Sequence, residues 1–223
     1  MLVTQQDIYH SDELLQLLQS NENKLNLRST ILPSGKTILH QGDEIEDILF
    51  ICQGEVSLYR TSEGGRRYQL GCYKHNGFLG LMELFSGKVC FYSVVLESEA
   101  QAYIVNGSAF QQLVCETPEL AASTFKHLTS KWYLSVERMT RNILHSITYC
   151  VVDDLLEHEA QSSGRPYTAN KNLECERLGT SLRVYNRILK QLSERGAIRV
   201  HRGYLEVLSV SILEQIRLEE VEK

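Results

Sequence analysis

The sequence lacks a long hydrophobic run and a secretion signal. In the 223 residues of the chain, every apolar stretch is much shorter than the roughly 18 residues that a membrane-spanning helix needs. Residues 1–20 are polar and acidic, without the basic start and apolar centre of a signal peptide. Both absences predict a cytoplasmic protein without a membrane partner. With 43% hydrophobic residues, the chain can still bury a substantial core.

The sequence also lacks an excess of positive charge. It has 23 Lys and Arg residues against 28 Asp and Glu residues, which gives a formal net charge of −5. A protein that coats nucleic acid by bulk electrostatics is therefore excluded. Any contact with DNA must use a local basic patch.

Closely spaced cysteine pairs are a third absence. The sequence has 6 cysteines and no Cys-x-x-Cys motif, although zinc and iron–sulfur sites normally use at least one close pair. In a reducing cytosol this spacing predicts free thiols in apolar packing, with a metal or redox sensor as the less favoured alternative. We therefore predict no metal site and no cofactor.

Short apolar runs separated by glycine-containing breaks fill residues 25–115. Residues 48–52 and 56–59 lie between such breaks and predict strands, as do residues 93–96 and 102–105. Many short strands at close spacing predict a sandwich, a barrel or a roll.

Helices are predicted on both sides of this region. Residues 11–20 predict a leading helix that is capped by Ser11. Residues 118–145 contain no glycine and no proline after Pro118, and predict a long helix. Its candidate dimer stripe, which recurs at steps of three and four, consists of Phe125, Leu128, Trp132, Ser135, Met139 and Asn142. This spacing fits a coiled-coil dimer and an ordinary amphipathic helix packed on its own domain equally well.

The last third of the chain has the pattern of a winged helix-turn-helix. Gly179 permits a tight turn between two helices, and Thr180 or Ser181 can cap the second one. Two short apolar runs on either side of Arg202-Gly203 predict the wing. The apolar inner faces of the two helices consist of Leu173, Cys175 and Leu178, and of Val184, Ile188, Leu189 and Leu192.

The same segment reverses the charge of the chain, because Glu194 is the only acid among the basic residues between Arg177 and Arg202. Arg183 and Arg187 lie one turn apart near the start of the second helix, the part that enters the major groove in this motif. Arginine can bind guanine through two hydrogen bonds. The predicted DNA contacts are Thr180, Ser181, Leu182, Arg183, Asn186, Arg187 and Lys190, with Tyr185 nearby, and Arg199, His201 and Arg202 on the wing. A solvated basic helix in a protein-binding domain is the alternative.

The order of these parts resembles the CRP/FNR superfamily of bacterial regulators. The resemblance rests on Leu32-Pro33-Ser34-Gly35, Gln41-Gly42-Asp43, Ile51-Cys52-Gln53-Gly54-Glu55-Val56, Gly77-Phe78-Leu79-Gly80, Leu178-Gly179-Thr180-Ser181 and Arg187-Ile188-Leu189-Lys190-Gln191-Leu192. It implies an α+β fold with a cyclic-nucleotide-binding-like double-stranded β-roll over residues 1–116, a dimerisation helix over 117–145 and a winged helix-turn-helix over 146–223. It also implies a homodimer that binds double-stranded promoter DNA and contacts RNA polymerase. Gly203-Tyr204-Leu205 is similar, more weakly, to the YeiL-like branch.

The sensor segments depart from those of the cyclic-AMP binders in this superfamily. Leu81 stands where they have a glutamate for the ribose, and no arginine lies between Arg67 and Arg138 to pair with the cyclic phosphate. A phosphate diester without a cationic partner in a half-buried pocket would be costly. The expected effector is therefore a small molecule of unknown identity, and not cyclic AMP bound in the usual way. The candidate pocket residues are Leu81, Glu83, Phe91, Ser93 and Ser135.

Two other function classes remain as alternatives. A cupin-like metal enzyme would need clustered His and Glu side chains, whereas His40 and His75 are far apart in the sequence and have no His-x-His partner. No P-loop, nucleophile elbow or dinucleotide-binding fingerprint is found either. A haem site at His75 lacks a second ligand signal. A non-DNA interaction module would leave the basic helix unexplained. We predict a DNA-binding transcription regulator and not an enzyme.

Overall fold

The computed structural model of the chain describes residues 5–162, 166–168 and 170–222. The chain folds into two compact units, Met1–Leu134 and Ser135–Lys223.

The first unit is built around a six-stranded antiparallel sheet that curls into a roll. Its strands are β1 (Arg28–Leu32), β2 (Thr37–Leu39), β3 (Asp47–Thr61), β4 (Arg67–Leu79), β5 (Ser93–Leu96) and β6 (Ala100–Asn106). Their order in the sheet is β1-β6-β3-β5-β2, and β4 pairs with β3. Apolar side chains from several strands meet in the interior of the roll, among them Ile51, Val56, Val94 and Leu96.

Two of the predicted strands are one strand in the structure. Residues 48–52 and 56–59 both lie in β3, so the break predicted at Gly54 is wrong. The pairing of β3 with β4 shifts register between Ile51 and Gly54, so the glycine lies at a bulge inside the strand. A Cβ atom on Gly54 would lie 2.7 Å from the Cβ of Ala100, and only glycine permits this close approach of β6.

Helices of the first unit pack against the roll through a second apolar cluster. Leu14 and Leu18 of the leading helix join Phe50, Phe78 and Phe110 there. Ser11 lies inside this helix, so the prediction that it caps the helix is wrong. The helices are α1 (Gln5–Ser20), α2 (Glu22–Leu25), α3 (Leu81–Ser86), α4 (Gly107–Glu116) and α5 (Pro118–Leu144), and the boundary between the units falls inside α5.

The second unit contains a helix-turn-helix and a three-stranded sheet, whose strands lie in the order β7 (Tyr167–Thr168), β9 (Tyr204–Val207) and β8 (Ile198–Val200). Its apolar core includes Leu155, Tyr185, Leu189 and Leu213. The predicted fold class is confirmed: a β-roll, a long helix and a winged helix-turn-helix. The elements are α6 (Ile147–Ser162), β7 (Tyr167–Thr168), α7 (Lys171–Leu178), α8 (Leu182–Glu194), β8 (Ile198–Val200), β9 (Tyr204–Val207) and α9 (Val210–Val221).

Candidate nucleic-acid interface

Side-chain caps and one glycine define the turn between α7 and α8. The Asn170 side chain caps α7 by accepting hydrogen bonds from two backbone N–H groups. Gly179 ends α7 at φ 63°, a left-handed conformation that glycine adopts without steric cost. Of the two candidate caps, Ser181 caps α8, since its Oγ accepts a hydrogen bond from Val184 N at 3.4 Å. The tight turn predicted from the sequence is therefore formed.

Helix α8 separates a buried face from an exposed face. Its buried residues follow the three- and four-residue steps of one helix face: Tyr185, Ile188, Leu189 and Leu192. Tyr185 is 1% exposed, so the prediction that it lies near the outer face is wrong. Its aromatic ring fills the core that supports the helix. The exposed face carries the predicted contacts Leu182, Arg183, Asn186, Arg187 and Lys190.

The basic residues of this segment fall into two groups. Arg177 is 13% exposed and pairs with Asp154 and Glu174, so it is not available to a phosphate. Arg195 pairs with Glu219 through two hydrogen bonds of 2.7 and 2.9 Å. Within the part of the chain that the structure describes, no ion pair is formed by the three exposed arginines Arg183, Arg187 and Arg202. The count of basic residues in the sequence therefore overstates the free positive charge.

The wing is the hairpin of β8 and β9. Arg199 and His201 both contact the Glu206 carboxylate, at 3.3 and 2.9 Å. The hydrogen bond from His201 is the main cause that lowers the pKa of Glu206 below its ordinary value. Arg202 is exposed at the tip, where Gly203 has φ 90°. Two of the three predicted wing contacts thus already have an acidic partner within the protein.

A network of charged side chains lies beneath the helix-turn-helix and wing of residues 171–207, which we call the reader. Arg177 on α7 shares Asp154 on α6 with Arg141, which lies 2.8 Å from this carboxylate. Burial alone would lower the pKa of Arg177, but Asp154 and Glu174 outweigh it and hold that pKa well above its ordinary value. Asn142 Nδ2 donates a hydrogen bond to the Arg177 carbonyl oxygen at 3.2 Å. The C-terminal end of α5 is thereby joined to α6 and to the first helix of the reader.

The predicted dimer stripe on α5 is partly engaged within the chain. Leu128 packs against the core of the first unit, and Asn142 contacts Arg177. Ser135 is half-buried. The other three predicted residues are exposed: Phe125 (60%), Trp132 (66%) and Met139 (45%). Together with Val136 (44%) and Ile143 (78%), they form an exposed apolar stripe with steps of seven, four, three and four, slightly rotated from the predicted one. Tyr133 and Leu144 of α5 are exposed beside this stripe.

Four of the predicted effector-pocket residues, Leu81, Glu83, Phe91 and Ser93, already form contacts within the protein. Leu81 is buried in the apolar cluster. The Glu83 carboxylate accepts a hydrogen bond from Phe91 N at 3.1 Å, and Arg60 donates one to Phe91 O at 3.0 Å. The Arg60 guanidinium also lies 3.8 Å from the centre of the Phe91 ring. Ser93 Oγ accepts a hydrogen bond from the backbone of residue 41, and Ser135 belongs to the second unit.

Arg60 is the residue that sequence reasoning missed. It lies on β3, outside the Arg67 to Arg138 interval that contains no arginine, and reaches the Phe91 segment across the sheet. Only strand pairing brings it there: Tyr59 lies opposite Ser93, two residues from Phe91. No local signal in the sequence could have identified this contact.

Two buried histidines contact the backbone N–H and carbonyl groups of Phe78. Phe78 N donates a hydrogen bond to His127 Nε2, and His75 Nε2 contacts Phe78 O, each at 3.3 Å. A carbonyl oxygen only accepts, so His75 carries its proton on Nε2. Burial, with smaller contributions from Lys131 and His127, lowers the pKa of His75 to about 3. A Cβ atom on Gly77 would lie 2.1 Å from the His127 ring, so only glycine fits beside it.

Comparison with known proteins matches one segment of the chain to a family and most of the chain to regulators of transcription. Residues 30–116 match the family described as the cyclic nucleotide-binding domain. The cAMP-activated global transcriptional regulator CRP of Salmonella typhimurium is 22% identical over 76% of this chain and 84% of its own length. The global nitrogen regulator of a Nostoc species is 24% identical over 77% of this chain and 81% of its own length.

A solved structure extends the likeness to both parts of the chain. The c-di-GMP responsive global regulator CLP of Xanthomonas campestris has a TM-score of 0.74 at 14% identity, over 89% of this chain and 99% of its own. The class of protein is thus a cyclic-nucleotide-binding-type roll joined to a winged helix-turn-helix. The predicted resemblance to the CRP/FNR superfamily is confirmed, and the relatives are transcription regulators rather than enzymes. Among the described residues, no helix has the length and apolarity that crossing a membrane requires.

Proposed function

We propose that the protein regulates transcription by binding double-stranded promoter DNA as a homodimer, with α8 in the major groove. The observation that carries this proposal is the exposed face of α8. Arg183 and Arg187 lie there without an internal acidic partner among the described residues, above a buried stripe that includes Tyr185. An arginine fixed on a rigid helix and free of ion pairs can bind guanine through two hydrogen bonds.

The exposed apolar stripe of α5 supports a dimer. Phe125, Trp132 and Met139 lie one heptad apart, and Val136 and Ile143 continue the stripe. Apolar side chains exposed in such a row are typical of a protein interface. Two copies joined there would present two reader helices to half-sites about one helical turn apart. RNA polymerase is the expected further partner, and the cytoplasm the expected place of action.

The internal contacts of the roll support a regulator that cyclic AMP does not control in the usual way. At the candidate pocket residue Phe91, the backbone N–H group already donates a hydrogen bond to Glu83. The Phe91 carbonyl is held by Arg60, and Cys90 N donates to Asp43 O at 2.7 Å. A cyclic phosphate would have to displace Glu83, and a like-charged carboxylate beside it would weaken binding.

Isothermal titration with cyclic AMP tests this part of the proposal. We expect no binding in the micromolar range, because the ligand would have to replace the internal hydrogen bonds that Phe91 forms with Glu83 and with Arg60. Titration of Glu83→Gln serves as the matched control, since it removes the competing negative charge and keeps the side-chain shape. Micromolar affinity of the wild-type protein would contradict the proposal.

Replacement of both reader arginines tests the DNA contact itself. In Arg183→Ala/Arg187→Ala, two base contacts worth about 1–3 kcal/mol each are lost. We expect the affinity for a duplex selected by the wild-type protein to fall by about 30-fold or more. Lys36→Ala/Arg66→Ala removes the same charge from exposed positions of the first unit and serves as the control. Equal affinities of the two variants would favour the interaction-module alternative.

A further inference from the structure

Glu206 on β9 holds two of the basic residues assigned to the wing. Its Oε2 atom accepts a hydrogen bond from Arg199 Nη1 at 3.3 Å and lies 2.9 Å from His201 Nε2. A carboxylate can only accept hydrogen bonds, so His201 Nε2 carries a proton in this contact. Two donors therefore converge on one carboxylate oxygen at the surface that the reader presents.

The register of the hairpin produces this arrangement. Arg199 lies directly opposite Glu206 in the antiparallel pairing of β8 and β9. Leu205 is buried in the core, so its neighbour Glu206 lies on the opposite side of the hairpin, with Arg199 beside it. The His201 ring stacks on Tyr204 with centroids 4.4 Å apart and an angle of 10°, which keeps the imidazole next to the carboxylate.

These contacts are open to solvent and to a ligand. The side chains of Arg199, Glu206 and His201 are 61%, 43% and 31% exposed. Exposed ion pairs contribute little to stability. The hairpin is held instead by its backbone pairing and by Leu205 in the core. The cluster can therefore exchange its acidic partner without loss of the fold.

We infer that Glu206 competes with the DNA backbone for Arg199 and His201. In the free protein its carboxylate binds these two side chains, and in the complex a phosphodiester of the DNA takes its place. The inference rests on the proposed function. A phosphate that reaches the wing must replace Glu206 or share both donors with it, and a second anion beside the carboxylate is repelled. Phosphate contacts carry no sequence information, so Glu206 sets affinity for any duplex and leaves base preference unchanged.

Titration of Glu206→Gln with DNA at several salt concentrations tests the inference. The amide keeps the shape and one oxygen acceptor but has no charge. Two probes are used, a duplex selected by the wild-type protein and a scrambled duplex of equal length. We expect E206Q to bind both more tightly, by about threefold to tenfold at low salt. The slope of log K against log salt should steepen by about 0.9 for each additional phosphate that the variant neutralises.

Two further proteins separate this effect from a general change of charge. Glu214→Gln removes one negative charge from an exposed position on α9 of the same unit, and we expect it to leave the salt slope unchanged. In Arg199→Gln/His201→Gln, the additional E206Q change should have no more effect than E214Q, because the competing donors are gone.

The possible results are distinct. Unchanged or weaker binding by E206Q, with wild-type binding intact, overturns the inference and leaves the proposed function standing. An equal increase in affinity in the variant without Arg199 and His201 also overturns it, since the increase then does not pass through these residues. Failure of the wild-type protein to bind either duplex overturns both the inference and the proposed function.

Discussion

His75 must stay neutral in the folded first unit, because it is buried beside Lys131 and His127 and its pKa is lowered to about 3. In the unfolded chain its pKa returns to the ordinary value of 6.5. The folded-state pKa is the lower one, so the unfolded chain binds more protons as the pH falls below 6.5. The free energy of unfolding therefore decreases through this window until about pH 3.

Replacement of His75 by Gln tests this dependence. The glutamine amide can still donate to Phe78 O but does not titrate. Urea unfolding followed by circular dichroism at pH 7 and pH 5 gives the free energy of unfolding for each protein. The wild-type loss between these values should exceed that of His75→Gln by up to about 2 kcal/mol, since each pH unit below the unfolded pKa contributes at most about 1.4 kcal/mol. Any cost of the substitution itself cancels in the difference. Equal losses would contradict the neutral, buried state of His75.

Among the elements, Asp154 on α6 is the point where three helices meet. Arg141 on α5 and Arg177 on α7 both contact its carboxylate. The Arg177 and Asp154 side chains are each 13% exposed, so water cannot replace a missing partner fully. Loss of one member from a buried ion pair leaves an uncompensated charge, whereas an exposed pair is screened and contributes little.

Asp154→Asn and Glu219→Gln compare a half-buried network with an exposed pair. Asp154→Asn should lower the free energy of unfolding by about 1–3 kcal/mol, because two half-buried guanidinium groups each lose one carboxylate partner, while Asp153 and Glu174 remain as their other partners. Glu219→Gln breaks the pair with Arg195, whose side chains are 38% and 41% exposed, and should cost at most about 1 kcal/mol. Urea unfolding of both variants measures the difference. A cost of Asp154→Asn no larger than that of Glu219→Gln would show that the network does not hold the reader together.

Local signals in the sequence predict the helices and the turn of the reader. Contacts between residues that are distant in the chain cannot be predicted from such signals. Gly179 and Ser181 act through neighbouring backbone, so their roles in the turn followed from residue type alone. Arg177 belongs to the basic segment of the sequence, but it pairs with Glu174 three residues away and with Asp154, which is 23 residues away and cannot be predicted from the local sequence. Gly54 was interpreted as a strand end because a bulge and a turn both favour glycine. Arg60 reaches its contact only through strand pairing.

On the scale of the whole molecule, the chain consists of two compact units. The roll keeps its Phe91 segment closed by internal contacts, and the winged helix-turn-helix leaves Arg183 and Arg187 exposed. The exposed apolar stripe of α5 is the surface through which two copies would join. The division of the chain at residues 117 and 146 stays a prediction, and the compact units of the structure meet inside α5.

The central claim is that two copies of the reader bind one DNA site together. Selection of duplexes from a random pool by the full-length protein, followed by sequencing, tests it most directly. We predict enrichment of a two-fold symmetric sequence whose half-site centres lie about 10 base pairs apart, because each α8 enters one major groove on the same side of the duplex. A single unpaired half-site would contradict the dimer, and no enrichment at all would contradict sequence-specific DNA binding.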